Sequence, residues 1–95
     1  MIKIRAKIKL YQAGRKTPFA SGYRPMFNFI HEMKTSGKIQ LLDRGNFFPG
    51  DEAEVEIIFL NEQYLGTNFR KGTKFTFDEG HTLLGEGEVM EILEY

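Results

Sequence analysis

From Ile2 to Tyr11 apolar and charged residues alternate strictly. Ile2, Ile4, Ala6, Ile8 and Leu10 share one phase, and Lys3, Arg5, Lys7 and Lys9 the other. A period of two over this length specifies a β-strand with one face buried and one in water, because successive side chains on a strand point to opposite sides. The pattern returns between Glu52 and Leu60, with Ala53, Val55, Ile57 and Phe59 in one phase and Glu52, Glu54 and Glu56 in the other. The acidic row of the second strand is a natural partner for the basic row of the first, since opposite charges facing each other across neighbouring strands stabilise a sheet.

Shorter runs fill out the set. Met26–Ile30, with Phe27 and Phe29 in phase, predicts a strand that fades near Met33, and Lys38–Leu42 predicts another. Phe75 and Phe77 mark a fifth, ended by Asp78-Glu79-Gly80. Val89–Leu93 ends the series, preceded by a bend or bulge at Gly85 and Gly87. Between them lie turn signals. Gln12–Pro25 holds Gly14, Pro18, Gly22 and Pro25 and reads as a long loop; Lys34-Thr35-Ser36-Gly37 reads as a turn, and Asp43-Arg44-Gly45 as a tight reversal. Phe48-Pro49-Gly50-Asp51 puts Pro and Gly at the two central positions that suit a type II turn. Asn61–Gly72 is irregular. No segment carries a helical period with caps. About six short strands in 95 residues predict one all-β domain, residues 1–95, a sandwich or a barrel, and a closed barrel is attractive because closure leaves no exposed strand edge.

Composition narrows the function. Cysteine is absent, which excludes disulfides, thiolate metal sites and cysteine nucleophiles. No apolar run approaches the roughly 20 residues of a membrane-spanning helix, and the first residues form a strand pattern and not a signal-peptide core. A cytoplasmic domain without membrane partners is expected. The net charge of zero conceals an asymmetry: residues 1–44 hold ten Lys/Arg against two Asp/Glu, and residues 45–95 hold three against eleven.

A catalytic constellation is missing. Ser21 and Ser36 lie outside any Gly-x-Ser-x-Gly elbow. His31 and His81 do not form a His-x-x-x-His pair, so no metal site is expected. Gly85-Glu86-Gly87 is followed by no Gly-Lys-Ser/Thr and is not a phosphate loop. Neither enzyme activity nor a cofactor is expected. Nucleic-acid binding fits better, because Gly14-Arg15-Lys16-Thr17, Gly22-Tyr23-Arg24 and Lys34-Thr35-Ser36-Gly37-Lys38 combine cations, hydroxyls and backbone N–H groups. Those are the groups that contact phosphates and 2′-hydroxyls of structured RNA.

The same loop opens a longer resemblance. Gly14-Arg15-Lys16-Thr17-Pro18-Phe19, Gly22-Tyr23-Arg24-Pro25 and Phe27-x-Phe29 are similar to the start of the third, C-terminal domain of elongation factor Tu. The match continues in order with Ser36-Gly37-Lys38-Ile39, Pro49-Gly50-Asp51, Phe75-x-Phe77, Glu79-Gly80 and Gly85-x-Gly87-x-Val89, and runs from about Lys7 to Leu93. The resemblance implies a six-stranded antiparallel β-barrel that grips the backbone of a tRNA stem, with Arg15, Lys16, Thr35 or Ser36, Glu79 and Gly80 at the RNA-facing positions. The alternative is a protein-interaction module that mimics the factor's barrel and docks a translation or GTPase partner without binding RNA. The chain departs from the pattern at Met26, where the family has glutamine, at Asn61, where it has lysine or histidine, and at His81-Thr82, where it has Gly-Arg; Asn61–Gly72 is also longer than the family's connection. The GTPase domain and every nucleotide motif are absent from this sequence, so GTP binding by the family mechanism is excluded.

Overall fold

The computed structural model describes residues 1–94 and contains six strands: β1 (Ile2–Leu10), β2 (Met26–Ile30), β3 (Met33–Leu41), β4 (Glu52–Phe59), β5 (Lys74–Glu79) and β6 (Thr82–Glu94). They close into an antiparallel barrel in the order β1-β4-β3-β2-β5-β6. Among the described residues the only helical element is a single 3₁₀ turn, Glu62–Tyr64. β1, β3 and β5 all end, and β2, β4 and β6 all begin, at the same mouth of the barrel.

The alternation of β1 sorts its side chains as expected, with Ile4, Ala6, Ile8 and Leu10 wholly buried. Inside they meet Val55, Ile57 and Phe59 of β4 and Val89 of β6. Phe27 stands at the centre of an aromatic cluster, with ring centroids 5.2 Å from Phe59, 5.6 Å from Phe75 and 5.8 Å from Phe77. Outside, the cations of β1 run between two acidic rows. Arg5, Lys7 and Lys9 pair in register with Glu56, Glu54 and Glu52 of β4 and with Glu91, Glu88 and Glu86 of β6. Only the Glu56 contacts close to ion-pair distance, 3.2 Å from Lys3 and 3.7 Å from Arg5. Four of the ten cations of the N-terminal half, Lys3, Arg5, Lys7 and Lys9, are thus set among acidic residues along this strip.

Two local expectations change. Lys34–Gly37 is not a turn; it lies within β3, and the chain reverses one step earlier, at His31-Glu32 between Ile30 and Met33. Glu32 takes φ 64°, a conformation sequence reading assigns to Gly or Asn, so the reversal carried no compositional signal. Gly37 is small for packing and not for turning, since a Cβ there would lie 2.6 Å from the Phe59 ring and 2.9 Å from Phe27. The last strand also starts earlier than expected, and β6 runs unbroken from Thr82. Its curvature comes from register shifts, against β5 at Phe77/Asp78 and against β1 at Lys3/Ile4 and Arg5/Ala6, which leave Leu84, Met90 and Leu93 as extra residues on β6. The Pro49-Gly50 turn forms as expected: Gly50 has φ 93° and the Asp51 N–H donates to the Phe48 carbonyl at 2.9 Å.

Candidate functional site

The loop from Gln12 to Pro25 crosses the mouth where β1 ends. It is anchored at Phe19, whose N–H and C=O both bond Phe47, and at Tyr23, whose C=O accepts from the Ile39 N–H at 2.9 Å. The rings of Phe19, Phe47 and Tyr23 stack with centroids 4.8–5.2 Å apart. Arg15 closes this arrangement. Its guanidinium lies 4.6 Å over the Tyr23 ring, donates to the Thr17 carbonyl at 2.9 Å and the Pro18 carbonyl at 3.3 Å, and reaches Glu79 on the β5–β6 hairpin at 3.3 Å. Burial, then the Glu79 charge, push the Tyr23 phenol up to about 12, with Arg15 opposing the shift. That hydroxyl stays protonated at neutral pH.

Arg15 and Glu79, expected together, are thus in contact. Their contact is a clasp between loop and hairpin, and it commits most of the donors that Arg15 would offer a phosphate. Lys16 and Gly80 lie exposed beside them. Gly80 holds φ 63° at the first central position of the two-residue hairpin Gly80-His81, where a glycine is favoured.

β3 separates the two hydroxyls considered as one position. Thr35 points into the barrel, is 2% exposed, and its Oγ1 has no hydrogen-bond partner among the described residues. Ser36 points outward and is exposed. The parity follows from the strand starting at Met33. Thr35 therefore cannot reach an RNA with its side chain, and the exposed hydroxyl at this level is Ser36. Replacing Thr35 with Val, which keeps the shape and removes an unpaired buried hydroxyl, is expected to raise stability by about 1 kcal/mol. Urea unfolding checks this, and a loss of stability would mean that the hydroxyl has a partner.

Two further cations join Ser36 on this side. Hydrogen bonds from Ile39 N to Tyr23 O and from Gly37 N to Pro25 O bracket Arg24 and Lys38, which places them across from one another. Neither is within 4.0 Å of a carboxylate among the described residues, and neither is Lys16. Arg24 and Lys38 both lay in the loop segments that the sequence marked as cationic, but nothing in the sequence distinguished them from Arg15 and Lys34. Lys34 is committed like Arg15, its Nζ 3.0 Å from both oxygens of the buried Asp78, which also accepts from Asn28 at 2.8 Å. No group of three or more His, Asp or Glu able to hold a metal occurs among the described residues. No family model matches the chain.

Proposed function

We propose that this barrel binds the backbone of a structured RNA, such as a tRNA stem, through Lys16, Arg24, Ser36 and Lys38. One observation carries the reading. Along β1 the basic row lies against acidic ones, yet Arg24 and Lys38 face each other with no carboxylate within 4.0 Å among the described residues. Like charges directly opposite on neighbouring segments are destabilising, so the pair is best satisfied by an anion from outside. A phosphate between them, with Ser36 donating to a second phosphate or a 2′-hydroxyl, is the kind of contact by which proteins hold RNA shape without reading sequence. The resemblance to the C-terminal barrel of elongation factor Tu supports the same class of ligand, while the commitment of Arg15 to loop carbonyls and Glu79 and the burial of Thr35 favour Arg24, Lys38 and Ser36 as the contact residues.

Binding of a labelled tRNA or stem-loop, followed by anisotropy at several salt concentrations, tests it. The double substitution Arg24→Glu with Lys38→Glu is expected to weaken binding at least tenfold and to lower the slope of log K against log salt by about 2 units. Unchanged affinity rejects the site. A second reading, docking of a protein partner, rests on Leu42, Phe48 and Leu83, which are 45%, 52% and 48% exposed at the mouth where the odd-numbered strands end. It predicts capture of a translation or GTPase protein that survives nuclease treatment and is lost in Phe48→Glu.

A further inference from the structure

On the side of the barrel where β2, β5 and β6 meet, a cleft of about 350 Å³ is lined by Tyr11, Asn28, Thr76, Lys74, Glu86 and Gly87. That is at the lower end of the roughly 300–1,000 Å³ range of ligand cavities. Tyr11 is carried there by the chain leaving β1. Its N–H donates to the Leu84 carbonyl at 2.8 Å, and its hydroxyl donates to Glu86 Oε1 at 2.6 Å. That hydrogen bond, together with burial and the Glu86 charge, raises the phenol pKa above its ordinary value, so the ring stays neutral and held in place.

Two of the polar groups around the ring, on Asn28 and Glu86, are acceptors. The Asn28 amide nitrogen donates to Thr76 Oγ1 at 3.1 Å and to Asp78 Oδ2 at 2.8 Å, which uses both of its hydrogens and fixes the side-chain oxygen as the group left over. Glu86 has a second carboxylate oxygen without a side-chain donor among the described residues. The cleft therefore offers a flat aromatic face, two hydrogen-bond acceptors, and the ammonium of Lys74. Lys74 sits across from Glu88 in register but within 4.0 Å of no carboxylate among the described residues.

The geometry points to a site for one unstacked nucleobase that carries an exocyclic amino group, with Tyr11 as the stacking surface. Asn28 and Glu86 accept from the amino group and Lys74 meets the phosphate of the same nucleotide. Adenine and cytosine present such an amino group on their base edge, and uracil presents a carbonyl in its place, which two acceptors repel. Stacking on an aromatic side chain is how proteins hold single bases, and it tolerates any base, so the discrimination falls to the acceptors. The inference rests on the RNA-binding reading and deepens it: Arg24 and Lys38 hold the backbone of a paired region, and the cleft takes an unpaired nucleotide beside it.

The test uses the full chain and three labelled single-stranded RNAs of about ten nucleotides, all adenine, all cytosine and all uracil. The adenine and cytosine tracts are expected to bind at least fivefold more tightly than the uracil tract. Tyr11→Ala is expected to weaken the first two roughly tenfold, the scale of one lost base–aromatic stack, and to erase the difference between tracts. Tyr11→Phe keeps the stack and retains most of the affinity, and thermal melting of each variant separates binding from folding. Equal affinity for the three tracts, or Tyr11→Ala without effect, overturns the cleft, as does failure of both the adenine and the cytosine tract to bind. The backbone reading fails separately: it is lost if the Arg24 and Lys38 reversals leave stem-loop binding intact, whatever the tracts do.

Discussion

Phe27→Ala is expected to cost about 4 kcal/mol, the middle of the range for emptying a buried phenylalanine site. A domain of this size has roughly 5–14 kcal/mol in total, so this one substitution consumes much of the margin. The reason is position. Phe27 is wholly buried, and its ring meets Phe59, Phe75 and Phe77, which come from β4 and β5. Deleting it leaves a cavity bounded by strands that are themselves locked in register around the ring of the barrel, so the walls cannot collapse into it. Phe48, which is 52% exposed, is the internal control, and Phe48→Ala should change stability by less than about 0.5 kcal/mol. Urea unfolding followed by circular dichroism measures both. A cost below about 1 kcal/mol for Phe27→Ala would show that the aromatic cluster does not organise the core.

Gly85→Ala is the complementary case, an atom too many. A Cβ at Gly85 would strike the Lys9 carbonyl and come within 2.6 Å of the Phe77 ring. Both neighbours are held: Gly85 pairs in register with Leu10 on one side and Phe77 on the other. Relief needs the β1–β6 ladder to open or Phe77 to leave its rotamer, and the expected cost is about 3 kcal/mol, at the upper end for overpacking. Gly45 provides the comparison, because a Cβ there meets nothing within 4 Å and Gly45→Ala should be neutral within about 0.5 kcal/mol. Comparable midpoints for the two variants would mean that the barrel absorbs the extra methyl and that the crossing at Gly85 is loose.

The barrel was legible where pattern and physics coincide. β1 and β4 announce themselves because each has one face in the core and one in water, and the facing of Glu52, Glu54 and Glu56 with the basic row follows from charge alone. Pro49-Gly50 states its own turn. The β2–β3 reversal was hidden because Glu32 adopts a left-handed conformation that its residue type does not advertise, while Ser36-Gly37 mimics a turn for reasons of packing. That displacement also blurred the site. The choice between Thr35 and Ser36 depends on strand parity, and parity depends on where β3 starts. Arg15 was expected as a ligand-facing cation, yet its chemistry is spent on Tyr23, Glu79 and two loop carbonyls. Sequence locates cations; it does not say which ones are already paired. Tyr11 lay at the end of the first strand and looked like its last residue, since nothing local shows that it folds across β6 onto Glu86.

β1 is flanked by β4 and β6, so the seam that seals the cylinder joins the earliest strand to the latest. During synthesis on a ribosome, β1 can find β4 once Phe59 has emerged, but its other side stays unpaired until β6 is out. Until then the emerging polypeptide presents a ribbon with open flanks and part of its oily lining in view. The protein should therefore gain its resistance to proteolysis abruptly once β6 has emerged, and deletion of β6 should abolish that resistance throughout the molecule instead of fraying one border.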